Sequence, residues 1–84
     1  MECYWRDDCA NASQSILLAA HALGLGATWS GVTFTDTEYI TYLQDTFAIP
    51  KQFIPYSLIV IGHPDDDTPV NSRFDAGRIH YGKW

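Results

Sequence analysis

The sequence predicts a mixed fold of helices and strands that is incomplete on its own. Three observations lead to this prediction: a long helix with apolar residues on most of its faces, a strand that is apolar on both faces, and too few other elements to cover either of them. Because a sheet of two strands is marginal on its own, we expect another polypeptide, a missing N-terminal segment or a tight oligomer to complete the fold.

The first helix is predicted over residues 8–23. Apolar residues recur at helical spacing along one stripe and continue on a second side, the first set being Cys9, Ala12, Ile16, Ala20 and Leu23 and the second Leu18 and Ala22. A helix of this kind is expected to be largely buried. We expect Gly24 to end it in the left-handed conformation, with Leu25 as the hydrophobic contact of a Schellman motif.

A first strand is predicted over residues 27–32, and a second helix over residues 36–47. Thr35 and Glu38 have the spacing of a capping box, in which two side chains satisfy the first free amides of a helix. Behind them, apolar residues keep helical spacing, and Pro50 closes the region.

The second strand is predicted over residues 56–61, where the sequence reads YSLIVI. It is apolar on both faces, which is typical of a strand in the middle of a sheet that is covered on both sides. A further short strand is predicted over residues 78–81. With no internal repeat and no linker, residues 1–84 are expected to form a single, partial domain.

Composition excludes several classes of protein. The net charge of −5 argues against a nucleic-acid surface, which needs clustered Lys and Arg. No apolar run approaches the roughly 20 residues that span a membrane, and the N-terminus does not read as a signal peptide. Cys3 and Cys9 lack metal or CxxC spacing, so we expect free thiols in a reducing cytoplasm.

No metal site is predicted. His63 and His80 have no second ligand at metal spacing. The three successive aspartates, residues 65–67, lack the 12-residue pattern of an EF-hand and are interpreted as a solvated turn.

Three segments resemble the C-terminal half of the FMN-dependent nitroreductase family. They read LLAAHALGLGATWSG (residues 17–31), IPYSLIVIGHP (residues 54–64) and RFDAGRIHYGKW (residues 73–84). The resemblance implies an α+β fold, a mixed sheet flanked by helices, assembled as an intertwined homodimer with FMN at the interface. The family's N-terminal arginine-rich flavin motif has no counterpart here, and the nearest sequence, residues 4–6, is not that motif.

The resemblance also implies an activity. Members of this family are NAD(P)H oxidoreductases in which a reduced nicotinamide gives hydride to FMN, and a nitroaromatic, quinone or similar small molecule then accepts it. No catalytic side chain is predicted, because the cofactor carries the chemistry and the protein binds and orients it. The alternative is a non-catalytic remnant or split-gene subunit that acts by assembling with a partner carrying the N-terminal half.

By position in the family, Ser30 and Gly31 would direct main-chain N–H groups at the flavin ring, and Gly31 would permit close approach to the cofactor. From spacing alone, such a Ser-Gly pair is more often simply the end of a strand in a turn. Trp29 would line the flavin pocket, although a tryptophan in a strand is more often part of the core.

Arg73 corresponds to an arginine that contacts the flavin phosphate, a role that suits its permanent charge and forked donors. Asn71 stands where the family often has a lysine, so one phosphate contact is weakened or absent. From composition alone, an isolated arginine in a polar loop is simply solvated.

Overall fold

The structure, a computed structural model, describes residues 2–33, 35–66 and 69–84. It contains two helices and two strands, as the sequence predicts for an α+β fragment. In chain order the elements are a 3₁₀ turn (Glu2–Tyr4), helix α1 (Trp5–Ala22), strand β1 (Gly26–Gly31), helix α2 (Thr37–Thr46), strand β2 (Ser57–Gly62) and a second 3₁₀ turn (Ala76–Arg78). Asp67, the last of the three aspartates, lies outside the described residues.

Helix α1 begins three residues earlier than predicted and ends one residue earlier, at Ala22, with Leu23 as its C-cap. Gly24 has a φ of +78°, in the left-handed region. Its N–H donates to the carbonyl of His21 at 3.0 Å, and the N–H of Leu25 donates to the carbonyl of Ala20 at 2.9 Å. These are the two hydrogen bonds of a Schellman motif, so the predicted helix stop is confirmed.

The prediction that α1 is largely buried is wrong for this chain. Only Ser13 and Ala20 are buried along the helix, while Ile16 and Leu18 are exposed. The cause is the short supply of elements: one side of α1 packs on the strands, and the described residues offer nothing to cover the other apolar side.

Strands β1 and β2 pair antiparallel, with Gly31 opposite Ser57. The N–H of Val32 donates to the carbonyl of Tyr56 at 3.1 Å, which extends the ladder by one pair beyond the strands. The described residues form a sheet of these two strands alone. The prediction that residues 56–61 lie in the middle of a sheet is therefore wrong within this chain, because β2 has a neighbour on one side only.

Helix α1 packs on one face of this sheet. The hydroxyl groups of Ser13 and Ser57 hydrogen-bond at 2.9 Å, and the Ser13 hydroxyl also donates to the carbonyl of Cys9 at 2.8 Å. Because side chains alternate along a strand, Thr28 and Ser30 point to the opposite face, where they are exposed. That second face has no covering layer among the described residues.

Helix α2 is capped differently from the prediction. Asp36 is the N-cap, and its carboxylate accepts a hydrogen bond from the N–H of Tyr39 at 3.0 Å. The predicted capping box from Thr35 to Glu38 is wrong by one residue, since Asp36 lies between them and is at least as good a cap as threonine.

The end of α2 repeats the stop that ends α1, with alanine in place of glycine. Ala48 has a φ of +52°, and the N–H of Ile49 donates to the carbonyl of Gln44 at 2.9 Å. The Gln44 side chain is buried and donates to the carbonyl of Phe53 at 2.9 Å. This bond ties the loop after α2 back onto the helix.

The prediction of a strand over residues 78–81 is wrong. Residues Ala76–Arg78 form a 3₁₀ turn, in which the Asp75 carboxylate accepts from the N–H of Gly77 at 3.0 Å. Among the described residues no strand lies beside this segment, and residues 69–84 are exposed throughout, with Trp84 99% exposed. A segment without a neighbouring strand cannot form ladder hydrogen bonds.

The chain is far less compact than a complete domain. Its accessible surface is 7473 Å², whereas a compact protein of this mass exposes about 5,000 Å². Its radius of gyration is 17.1 Å, against about 12 Å for a compact chain of this length. Ala20 and Leu43 are the buried hydrophobic residues of the described core. The fold is thus a partial one, with much apolar surface uncovered.

Within the described residues, neither helix combines the length and the apolar character needed to cross a bilayer.

Candidate functional site

Three of the four predicted site residues lie together at the end of β1. Trp29, Ser30 and Gly31 are consecutive in the strand, with Trp29 half-buried and the other two exposed. Gly24 ends α1 and turns the chain back along that helix into β1. Along its whole length β1 pairs with β2 on one edge, and among the described residues its other edge is open.

The phase of the ladder sets the direction of each main-chain group. In an antiparallel pair, residues alternate between hydrogen-bonded and non-hydrogen-bonded positions. Since Val32 donates to Tyr56, Ser30, two residues earlier and opposite Leu58, faces β2 with its own N–H. The N–H of Gly31 points the other way, to the open edge of the sheet. Gly31 therefore presents a main-chain donor that the ladder does not use.

The space around Gly31 is open. No atom lies within 4 Å of the position that a Cβ would take there. A planar ligand could approach the strand at this residue to main-chain contact distance, as glycine allows. The contacts of Ser30 and Gly31 with a flavin stay predictions. Of the two amides, that of Gly31 points to the open edge, whereas that of Ser30 faces β2.

Trp29 belongs to a cluster of aromatic rings. Its ring centroid lies 6.2 Å from that of Tyr56, with an angle of 56° between the planes. Trp5, the first residue of α1, meets Tyr56 from another side at 6.1 Å and 81°, an edge-to-face contact. The Arg6 guanidinium lies 5.4 Å from the Trp5 centroid. Trp29 thus packs against another ring and remains half-buried. This position is compatible with packing in the core and with lining a flavin pocket, and the second role stays a prediction.

The sequence does not predict Trp5 and Tyr56 as part of the site. Its pattern places Tyr56 in the apolar run of β2 and Trp5 in the segment that lacks the flavin motif. The sequence feature that could have indicated this contact is the position of the two aromatic residues, one in the first turn of a helix and one just before a strand, where rings of different elements can meet.

An open cavity of about 560 Å³ lies beside this cluster. The first turns of α1 and the loop before β2 form its walls, with Trp5, Arg6, Cys9, Gln52, Phe53 and Ile54 as lining residues.

Arg73 lies apart from the other predicted residues. It is in the exposed segment 69–84, and no hydrogen bond or ion pair within the described residues joins it to β1. Asn71 is exposed in the same segment. The structure therefore brings Trp29, Ser30 and Gly31 together and does not bring Arg73 to them within this chain.

The described residues contain no group of three or more His, Cys, Asp or Glu side chains placed to hold a metal ion. Cys3 and Cys9 are both free thiols, Cys3 exposed and Cys9 half-buried.

Comparison with known proteins assigns the fold. A model of the Nitroreductase family matches residues 6–63, which include both strands and both helices apart from the first residue of α1. The chain belongs to this family. The match covers the resemblance in residues 17–31 and, up to residue 63, the one in residues 54–64, and confirms it.

Two archaeal relatives support the assignment. A protein of Methanothermobacter thermautotrophicus named "Putative NADH dehydrogenase/NAD(P)H nitroreductase" is 44% identical over 81 residues, covering 96% of this chain and 42% of its own length. A protein of Archaeoglobus fulgidus with the same name is 36% identical over 83 residues, covering 95% of this chain and 47% of its own.

Solved structures share the fold. A crystal structure named "Putative NADH Oxidase", from Clostridium acetobutylicum, superposes with a TM-score of 0.84 at 34% identity, covering all of this chain and 51% of that protein. A "Putative NADH dehydrogenase/NAD(P)H nitroreductase" from Bacteroides thetaiotaomicron gives 0.81 at 31% identity, with 96% and 48% covered. The nitroreductase-like α+β fold is confirmed, and the chain spans about half the length of the relatives it matches.

Proposed function

We propose that this chain contributes the flavin-edge half of an FMN-dependent oxidoreductase that uses NADH or NADPH as reductant. Membership of the Nitroreductase family and the names of the relatives support an oxidoreductase. The observation that carries the proposal is the Gly31 amide, which points away from β2 at an open strand edge inside the matched region.

The residues at this edge fit a flavin ring. The ring is planar and has hydrogen-bond acceptors along one side, so a main-chain N–H can bind it without competing as an acid. The open space at Gly31 suits its approach, and the exposed Ser30 beside it leaves that face of the sheet accessible. When bound, FMN would supply hydride transfer between nicotinamide and an acceptor such as a nitroaromatic or quinone.

Arg73 would hold the phosphate of FMN. A dianionic phosphate bound to a chain with a net charge of −5 needs a local cation, and an arginine fork is suited to it. Because Arg73 lies on the exposed segment 69–84, it would reach the phosphate only where that segment packs against another polypeptide or folds back in the assembled protein.

Assembly with a second polypeptide is part of the proposal. The chain exposes about 2,400 Å² more surface than a compact protein of its mass, an amount comparable with what an obligate interface buries. The partner would be a second copy of this chain or a polypeptide carrying the other half of the fold. The competing function, a non-catalytic remnant that acts by assembly alone, shares this requirement but not the flavin.

An absorption spectrum of the chain purified under native conditions and supplied with FMN tests the proposal. We expect the visible bands of bound oxidised flavin after removal of free FMN, and their loss under anaerobic conditions on addition of NADH or NADPH. A folded, associated protein that retains no flavin would contradict the proposal and favour the remnant.

A further inference from the structure

We infer that Tyr56 is a positioning residue that fixes the Trp29 indole beside the flavin edge of β1. This inference rests on the proposed function, because it assigns to Tyr56 a role in shaping the same site. Tyr56 lies outside both strands, immediately before β2, and nothing in the sequence pattern separates it from the apolar run that follows.

The main chain of Tyr56 is attached to the end of β1. Its carbonyl accepts a hydrogen bond from the N–H of Val32 at 3.1 Å. Val32 is the residue that follows Gly31. This hydrogen bond continues the ladder past the last strand pair and fixes the phase that turns the Gly31 amide outward. The backbone of Tyr56 therefore helps to aim the proposed flavin donor, whatever its side chain is.

The side chain of Tyr56 makes a second, separate attachment. Its ring contacts two tryptophans, with centroids 6.2 Å from Trp29 and 6.1 Å from Trp5. Both distances are within the range in which ring pairs attract each other. Tyr56 is thus the one described ring that contacts both the start of α1 and the strand carrying Gly31.

Trp29 lies on the face of the sheet that α1 covers, since it alternates with Thr28 and Ser30, and its indole is nevertheless only half-buried. The aromatic contact described for it is the one with Tyr56. An indole in a well-packed core would be fixed by many neighbours. Here the rotamer of Trp29 is expected to loosen when the Tyr56 ring is removed.

The test is a double-mutant cycle on FMN affinity. Tyr56→Leu removes the ring and keeps the main-chain bond, and we expect FMN binding to weaken about three- to tenfold, the factor that corresponds to one aromatic pair. Tyr56→Phe keeps the ring and should bind as the unchanged protein does. In a Trp29→Leu background, Tyr56→Leu should have no further effect, because Tyr56 acts through Trp29.

Tyr42→Leu is the matched control, since Tyr42 is an exposed tyrosine on α2 without a described ring contact. Near-ultraviolet circular dichroism of the flavin-free proteins should change in Tyr56→Leu and not in Tyr42→Leu. Additive losses in the cycle, or equal losses in Tyr56→Phe and Tyr56→Leu, would overturn the inference while leaving the proposed function intact. Absence of FMN binding in the unchanged protein would overturn the proposed function and this inference together.

Discussion

At the scale of single residues, the flavin proposal depends most on the amide of Gly31. Gly31→Pro removes this N–H, which the ladder does not use, and proline is tolerated at such outward positions of an edge strand. Loss of one hydrogen bond should weaken FMN binding about two- to tenfold. Isothermal titration with FMN measures the effect.

Ala27→Pro is the control for this substitution, because Ala27 has the same outward phase at the other end of β1. It should leave the FMN affinity unchanged. Equal losses in the two variants would mean that proline perturbs the strand as a whole and that Gly31 has no special part in binding.

Substitution of Arg73 tests the proposed contact with the phosphate of FMN. Arg73→Ala should remove a charge-assisted pair with the phosphate of about 1.5–3 kcal/mol, which corresponds to roughly ten- to a hundredfold weaker FMN binding. Riboflavin lacks the phosphate, so its binding should hardly change. Ser30→Ala should leave both affinities nearly unchanged, because no part in binding is assigned to the Ser30 hydroxyl and the substitution keeps the main chain, whose N–H faces β2. Equal losses of FMN and riboflavin in Arg73→Ala would show that Arg73 supports structure and not the phosphate.

At the scale of elements, the two helices end in the same motif with different residues. Gly24 adopts a φ of +78° and Ala48 a φ of +52°. Gly24→Ala should therefore lower the free energy of unfolding by about 1–2 kcal/mol through backbone strain. Ala48→Gly should raise it by about 0.5–1 kcal/mol, since the strain already present is relieved at some entropic cost. Thermal unfolding compares the variants, and changes of the same sign would contradict this account.

Helix α1 has one side that packs on the sheet and one uncovered side. Two neighbouring alanines, Ala20 and Ala19, lie on the first and the second side respectively. Ala20→Glu places a charge at a position that is 4% exposed and should cost about 2–4 kcal/mol of stability. Ala19 is exposed, so Ala19→Glu should be nearly neutral in any form where α1 is uncovered and costly where a partner covers it. Chemical denaturation measures the free energy of unfolding of both variants. Unchanged stability in Ala20→Glu would contradict the packing of α1 on the sheet.

Local sequence signals predicted most of these elements. The Gly24 stop and both strands follow from backbone preferences and apolar patterns, which neighbouring residues set by themselves. The burial of α1 and the place of β2 in its sheet depend on what packs against them, and the described chain does not supply those layers. The same holds for the predicted strand over residues 78–81, which has no strand beside it to pair with.

For the candidate site, too, the sequence could predict some features and not others. Trp29, Ser30 and Gly31 could be named because they follow one another in a recognisable segment. The direction of each amide could not, because it depends on the register between β1 and β2. The Tyr56 ring contacts join residues that are 27 and 51 positions apart, and no spacing pattern in a single sequence indicates such pairs.

At the scale of the whole molecule, the chain is a partial nitroreductase fold. It spans about half the length of its relatives. Its described residues include few buried apolar side chains and leave one face of a two-stranded sheet uncovered. Burial of this extent is too small to offset the entropy of ordering a chain of this length. We therefore expect the rest of the fold to supply the missing stability, whether it comes from another polypeptide, a missing N-terminal segment or a tight oligomer.

Light scattering coupled to size-exclusion chromatography at low micromolar concentration, with thermal unfolding of the same fractions, tests this claim most directly. We expect no cooperatively folded monomer: the folded fraction should have the mass of a dimer or a larger assembly, and dilution should lower its melting temperature. A well-folded monomer of 9.5 kDa whose melting temperature does not depend on concentration would contradict it.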